Sequence, residues 1–148
     1  MRAINLASPF PTVRRSTPAI AAARLLADQN LPGLIVLDDA GRPWTVLPGT
    51  QVLRMAIPSY CQEDPTLARV IDEPAADVFI TGLGDRSVEQ CLDPDQRDVP
   101  VVDPDATLLE IAALMATEHA PVVAVLNPDG TLRGAITVDA LLDRVFQQ

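Results

Sequence analysis

The sequence predicts an α/β protein assembled from two copies of one β-α-β-β-α unit. Two observations carry that prediction. One is an internal repeat at a fixed spacing of 89 residues, and the other is the order of signals within each copy, an amphipathic helix, two short apolar strands around a turn, then a second helix. A third observation concerns the core: 48% of the residues are apolar but only 3% aromatic, so Val, Leu, Ile and Ala must fill it.

The spacing shows most plainly at Val36-Leu37-Asp38-Asp39-Ala40-Gly41 and Val125-Leu126-Asn127-Pro128-Asp129-Gly130, both an apolar pair, a turn and a glycine. The same offset places Pro32 on Pro121 and Leu53 on Leu142. Upstream it places Val13 on Val102, Ala23 on Ala112, Leu25 on Leu114 and Ala27 on Ala116. A gapless correspondence over some forty positions that preserves pattern is the mark of duplication.

The elements follow in order. In the first copy Thr17-Pro18 opens a helix, with Pro18 suited to its first position, and Ala19, Ala22, Ala23 and Leu26 share one face. Leu34–Leu37 is a short apolar run bounded by turn residues, hence a buried strand, and Asp39-Ala40-Gly41 turns it into a return strand at Trp44–Leu47. A closing helix carries Gly49, Val52, Leu53, Ala56 and Ile57 on one stripe. In the second copy Thr107-Leu108-Leu109-Glu110 has the form of a capping box, and Leu108, Ile111, Ala112 and Met115 follow at i, i+3, i+4 and i+7. Strands at Val122–Leu126 and Leu132–Thr137 flank Asp129-Gly130, and Val138, Leu141, Leu142, Val145 and Phe146 form the last stripe.

Between the copies, a helix is expected from Asp64-Pro65-Thr66-Leu67. A second follows the break at Glu73-Pro74-Ala75 and ends at Gly82 or Gly84, and a short one lies in Ser87–Leu92. The domain reading is residues 1–60 for the first unit, 61–98 for a helical connecting segment and 99–148 for the second unit. Neither unit is large enough to bury its apolar surface alone, so the copies must pack together, and a second chain in two-fold symmetry would cover any helix face left over.

The formal charge is −9, and all eleven basic residues are arginines with no cluster beyond Arg14-Arg15. That balance argues against nucleic-acid polymers and anionic membrane surfaces, since both are bound through basic faces. A small phosphate remains compatible, because one helix N-terminus can hold it whatever the net charge. Arg14-Arg15 reads as a solvent-facing pair or a phosphate contact. Cys61 and Cys91 have no metal-ligand spacing and read as reduced thiols in or near a core. The first residues, MRAINLASPFPTV, lack the apolar stretch of a signal peptide, and no apolar run approaches the ~20 residues of a membrane helix. A cytoplasmic protein without membrane insertion is the expectation.

Pro121-Val122-Val123-Ala124-Val125, the Asp129-Gly130 turn and Gly134-Ala135-Ile136-Thr137-Val138-Asp139-Ala140-Leu141-Leu142 resemble the C-terminal half of a CBS domain, and Val101-Val102-Asp103-Pro104-Asp105-Ala106-Thr107-Leu108 resembles its opening. The likeness runs over residues 99–146, and over 12–57 through the repeat. It implies a tandem pair, or Bateman module, of stand-alone bacterial type. Two sheets would meet about a pseudo-two-fold axis and leave two clefts.

Modules of this kind commonly form homodimers. Many bind adenosine-containing ligands and report to an enzyme or transporter; some bind Mg²⁺ through acidic side chains.

The family's nucleotide signature is a Thr or Ser at the end of the last strand and an Asp three residues later, whose carboxylate accepts from ribose hydroxyls. Thr137 matches the first element, but the later position is Ala140, with Asp139 one residue early. In the first copy the two positions are Pro48 and Gln51, with Thr50 between them. The resemblance therefore makes Thr137 and Asp139 candidate contacts at one cleft and Thr50 and Gln51 at the other, with Val102 and Val123 as apolar walls. Thr137 and Asp139 can equally cap the last helix.

Candidate ligands are AMP, ADP, ATP or another adenosyl compound, none obligatory. No catalytic nucleophile or acid-base pair can be assembled, so no enzyme activity is expected. The aspartates at 93, 95, 98, 103 and 105 lack the glycine and terminal glutamate of a Ca²⁺ loop and read as a solvated linker. His119 and its repeat partner Asn30 read as helix C-caps, and Trp44 as a core residue or a surface for stacking. The leading function is non-catalytic regulation by ligand sensing. The alternatives are a ligand-free dimerisation or partner-interaction module and a magnesium sensor.

Overall fold

Each copy folds as the repeat predicts, in the order strand, helix, strand, strand, helix. The computed structural model describes residues 1–57, 63, 66 and 75–147. After a four-residue helix α1 (Ala3–Leu6), the first copy comprises β1 (Thr12–Arg14), α2 (Ala19–Gln29), β2 (Gly33–Leu37), β3 (Pro43–Pro48) and α3 (Gly49–Ala56). Then come α4 (Ala75–Leu83) and α5 (Val88–Cys91). The second copy comprises β4 (Val101–Val102), α6 (Leu108–Glu118), β5 (Val122–Leu126), β6 (Leu132–Thr137) and α7 (Val138–Phe146).

The two three-stranded sheets have the orders β1-β2-β3 and β4-β5-β6. In the second sheet β4 runs parallel to β5, with Val101 opposite Ala124, and β5 antiparallel to β6, with Val122 opposite Thr137. Of the expected helix start at Asp64-Pro65-Thr66-Leu67 only Thr66 is among the described residues, and the break at Glu73-Pro74 and Cys61 lie outside them. Cys91 is a buried free thiol.

Contacts divide the chain into two compact units that interleave along the sequence: residues 1–12, 35–46 and 97–148 form one, and 13–34 and 47–96 the other. In the first unit the β5 run is buried on both faces, which is why it is continuously apolar instead of alternating. Val123 and Val125 point with Ile136 into a core that includes Ala3, Ile111, Met115 and Leu141. Val122 and Ala124 point the other way, with Ala135, onto Ile35 and Val99. Successive side chains of a strand alternate faces, so one five-residue strand supplies both cores.

The interleaving has a repeated hydrogen-bond basis. On the start of α6, the Ala3 amide donates to the Ala106 carbonyl (2.8 Å), Ile4 to Pro104 (3.0 Å), and Leu108 to Met1 (3.3 Å). On the start of α2, Val88 donates to Thr17 (2.8 Å), Glu89 to Arg15 (3.0 Å), and Ala19 to Arg86 (2.8 Å). Thr17, Arg15 and Ala19 are the 89-residue equivalents of Ala106, Pro104 and Leu108. Each short helix therefore docks on the copy it does not precede in sequence. Both are closed alike: Asn5 Oδ1 accepts from the Arg2 amide at 3.0 Å, and Gln90 Oε1 from the Ser87 amide at 2.9 Å. These are the reciprocal half of a capping box, and they satisfy amides that a helix start leaves open.

Helix ends agree with the repeat. Asn30 (φ 51°) and His119 (φ 53°) both take the left-handed conformation that ends α2 and α6. Gly41 (φ 82°) and Gly130 (φ 88°) supply the positive φ of the hairpin turns. One detail differs from the sequence reading: Pro18 is the N-cap of α2 and not its first helical residue. Of the two glycines expected to end α4, Gly84 (φ 49°) lies just beyond its last residue and Gly82 lies inside it.

The closing helices also diverge from a uniformly buried stripe. Val52 and Ala56 of α3 are buried, whereas on α7 only Leu141 is, leaving Leu142 48% and Phe146 80% exposed. Apolar spacing identifies a face but not what covers it.

Candidate functional site

Thr137 ends β6 and is the N-cap of α7. Its hydroxyl accepts from the Ala140 amide at 3.1 Å, and the next amide, Val138, donates to the Pro121 carbonyl at 3.0 Å. The local sequence explains this: Thr stays extended as the last strand residue, and its oxygen then reaches the third amide of the helix. Asp139 lies exposed in the first turn of α7, where a carboxylate is favoured by the helix dipole. Val102 is partly buried against the α6 and α7 core, and Val123 is fully enclosed in it. Thr137, Asp139, Val102 and Val123 thus all belong to the first compact unit.

Thr50 and Gln51 belong to the second unit, in the first turn of α3. Thr50 is exposed. Gln51 is partly buried, and its Nε2 donates to Asp93 Oδ2 at 3.2 Å, while Arg54 NH1 pairs with Asp93 Oδ1 at 3.2 Å. The acceptor Oδ2 sets the amide orientation, because a carboxamide oxygen turned toward it would repel the carboxylate. The Gln51 Oε1 atom is then buried with no hydrogen-bond partner among the described residues. The N-cap of α3 is Pro48, so no side chain caps this helix start, in contrast to Thr137 on α7. Asp93 read as part of a solvated linker, and Arg54 was not singled out, although it stands three residues after Gln51 on the same face of α3. The spacing of Asp93 from Gln51 along the chain carries no signal, and only the fold brings it to α3.

A separate cleft of about 410 Å³ opens in the first unit beside the two hairpin turns, with Trp44, Asp98, Val101 and Leu126 among its walls. None of the six candidate ligand residues lines it. Its floor is held by the Val99 amide donating to the Trp44 carbonyl at 2.8 Å and by the buried Thr45 hydroxyl donating to the Arg97 carbonyl. At one rim, Asp129 is held below the ordinary carboxylate range by hydrogen bonds from the Thr131 hydroxyl and amide, with Arg42 adding to the effect. Elsewhere in the chain burial pushes the Cys91 thiol up, against a smaller opposing pull from Arg86. Among the described residues no three His, Cys, Asp or Glu side chains are placed to hold a metal ion, and no helix is long and apolar enough to cross a membrane.

Two β-α-β-β-α copies, each with a three-stranded sheet and two helices, define a duplicated α/β module. The chain belongs to the CBS domain family, whose pattern matches residues 2–46 and 95–147. It is a tandem CBS-domain pair. Among solved structures it is similar to a CBS domain-containing protein of unknown function from Kribbella flavida, at 45% identity and a TM-score of 0.88, covering 98% of each chain.

Two more distant structures share the fold. CBSX2 in complex with AMP is 19% identical, with a TM-score of 0.68, covering 99% of this chain and 96% of that one. A CBS domain pair in complex with 5′-methylthioadenosine and S-adenosyl-L-methionine is 15% identical, with a TM-score of 0.66 and coverage of 99% and 96%. None of the curated proteins searched matches the chain.

Proposed function

We propose that this CBS pair is a non-catalytic ligand sensor that binds an adenine nucleotide or another adenosyl compound and signals the bound state to a partner enzyme or transporter. The observation that carries the reading is Gln51. Its amide nitrogen is tied to Asp93, and its buried Oε1 meets no donor among the described residues, at the start of a helix without a side-chain cap. A ribose hydroxyl is a donor of the right kind, and the open amides of α3 suit a phosphate. Gln51 stands where the family signature has its ribose-binding aspartate, and Thr50 beside it completes the first contact set.

Thr137 and Asp139 form the second set. Val102 contributes its apolar wall and Val123 backs it from the core. The bound AMP, 5′-methylthioadenosine and S-adenosyl-L-methionine of the distant relatives support this ligand class. The domain limits 1–60, 61–98 and 99–148, a homodimer and a cytoplasmic setting belong to the same reading.

A titration of the dialysed protein with AMP, ADP, ATP and S-adenosyl-L-methionine, read by melting temperature and calorimetry, tests it. A ligand that binds only the folded state raises the melting temperature with concentration. One of the four is expected to do so, with the shift reduced in Gln51→Ala. No shift from any at millimolar concentration would overturn the reading. It would favour the second one, a ligand-free interaction module. That alternative rests on the apolar face that α7 leaves exposed through Val138, Leu142, Val145 and Phe146. No observation favours the magnesium-sensor alternative.

A further inference from the structure

We propose that the cleft beside the two hairpin turns of the first unit binds a small organic cation with a flat apolar body, at a site separate from the adenosyl contacts above. Its shape is set before any ligand arrives. One turn is closed by the Asp38 amide donating to the Arg42 carbonyl (2.8 Å), with Asp38 Oδ1 accepting from the Ala40 and Arg42 amides (2.9 Å each). The other is closed by the Asn127 amide donating to the Thr131 carbonyl (2.8 Å), with the Thr131 amide and hydroxyl both donating to Asp129 Oδ1. Arg42 lies over Gly130, where a side chain would come within 3.1 Å of its Nε, so the absence of a β-carbon there leaves room for the guanidinium at the rim.

The chemistry of the walls selects the ligand. Trp44 is half-buried, and Val101 and Leu126 add apolar surface, Val101 being 46% exposed. The charged wall residues are Asp38, Asp98 and Arg42, so the carboxylates outnumber the cation. The two oxygens of Asp98 take no side-chain donor among the described residues, whereas Asp38 is engaged by its own turn. An aromatic face beside an unengaged carboxylate is an arrangement that attracts an ammonium group carried on an apolar frame. The formal charge of −9 adds a long-range bias in the same direction. The volume of about 410 Å³ lies within the range of small-molecule sites.

Trp44 is the only tryptophan in the chain, so its emission reports on this cleft alone. The test is a titration of the full chain with benzyltrimethylammonium, with benzyl alcohol as the neutral probe and AMP as the anionic one. The expected result is a saturable change with the ammonium probe and a much weaker response to benzyl alcohol. Asp98→Asn should weaken the ammonium probe by up to about fivefold, the range of an exposed ion pair. Arg42→Gln should strengthen it, because a like charge has been removed. Both residues are exposed, so neither variant should unfold the chain.

A linear, non-saturating change would overturn the proposal. So would equal affinity for benzyl alcohol, displacement of the ammonium probe by AMP, or two variants that bind like the wild type. Failure here leaves the adenosyl reading untouched, since that one is read through Gln51 and calorimetry.

Discussion

Gly82→Ala should destabilise this protein even though it replaces a poor helix former by the best one. Gly82 lies in the last turn of α4, where α4 crosses α3. A β-carbon there would be driven into the carbonyl oxygen of Ala56, with the carbonyl carbon 2.6 Å and the α-carbon 2.9 Å away. All three are backbone atoms, so no side chain can rotate aside and the helices themselves must separate. Helix propensity favours the substitution by about 1 kcal/mol. Overpacking against a rigid neighbour costs ~1–3 kcal/mol, and more where backbone must move. The balance is a net loss of roughly 2 kcal/mol, or a fall of ~4–8 °C in melting temperature for a chain of this length.

Gly49→Ala is the matched control. Its β-carbon would sit 3.8 Å from the Pro32 carbonyl oxygen, ordinary contact, so propensity should prevail and the variant should be as stable as the wild type or slightly more so. Scanning calorimetry and urea unfolding of both variants decide the matter. A Gly82→Ala protein at or above wild-type stability would refute the argument that close helix approach keeps this glycine, and an equal loss in Gly49→Ala would refute the distinction between the two sites.

Three further outcomes are expected. Thr107→Ala removes the hydroxyl that accepts from the Glu110 amide at 3.1 Å and should cost about 1 kcal/mol in urea unfolding. Asp129→Ala should be less stable than the wild type at neutral pH. The folded carboxylate sits below its ordinary value of 3.8, so its contribution is present above that pH and is lost as pH falls through the folded value; the two unfolding curves should therefore converge under acid conditions. For Cys91 the sign is opposite. The folded thiol is raised above 9.0, so the advantage of burying it neutral is complete below pH 9 and is lost as pH rises through the folded value. The stability gap between wild type and Cys91→Ala should narrow in alkali, and a gap that widens would contradict the burial seen here.

The amino-acid sequence by itself determined the duplication, the order of elements in both copies, the turns at Gly41 and Gly130 and the helix ends at Asn30 and His119. Each of these is written in residues close together in the chain: apolar spacing, a capping oxygen, or a residue that tolerates positive φ. The exchange of the short helices α1 and α5 was not legible, because their bonds join Met1–Ile4 to residues 104–108 and Arg86–Glu89 to residues 15–19, and no local pattern encodes a partner that far away. Gly82 read as one of two possible ends of α4, the other being Gly84; that the backbone of Ala56 on another helix lies against Gly82 was not legible.

The stripe of α7 was legible as an apolar face, but that Leu142 and Phe146 of it stay exposed was not, since periodicity marks a helix face without saying what covers it. The candidate site divides the same way. Thr137 and Gln51 were visible as polar residues at helix starts. That Thr137 caps its own helix, while Gln51 is held by Asp93 and left with a buried oxygen that has no partner among the described residues, was decided only by tertiary structure, which alone sets burial and brings distant partners together.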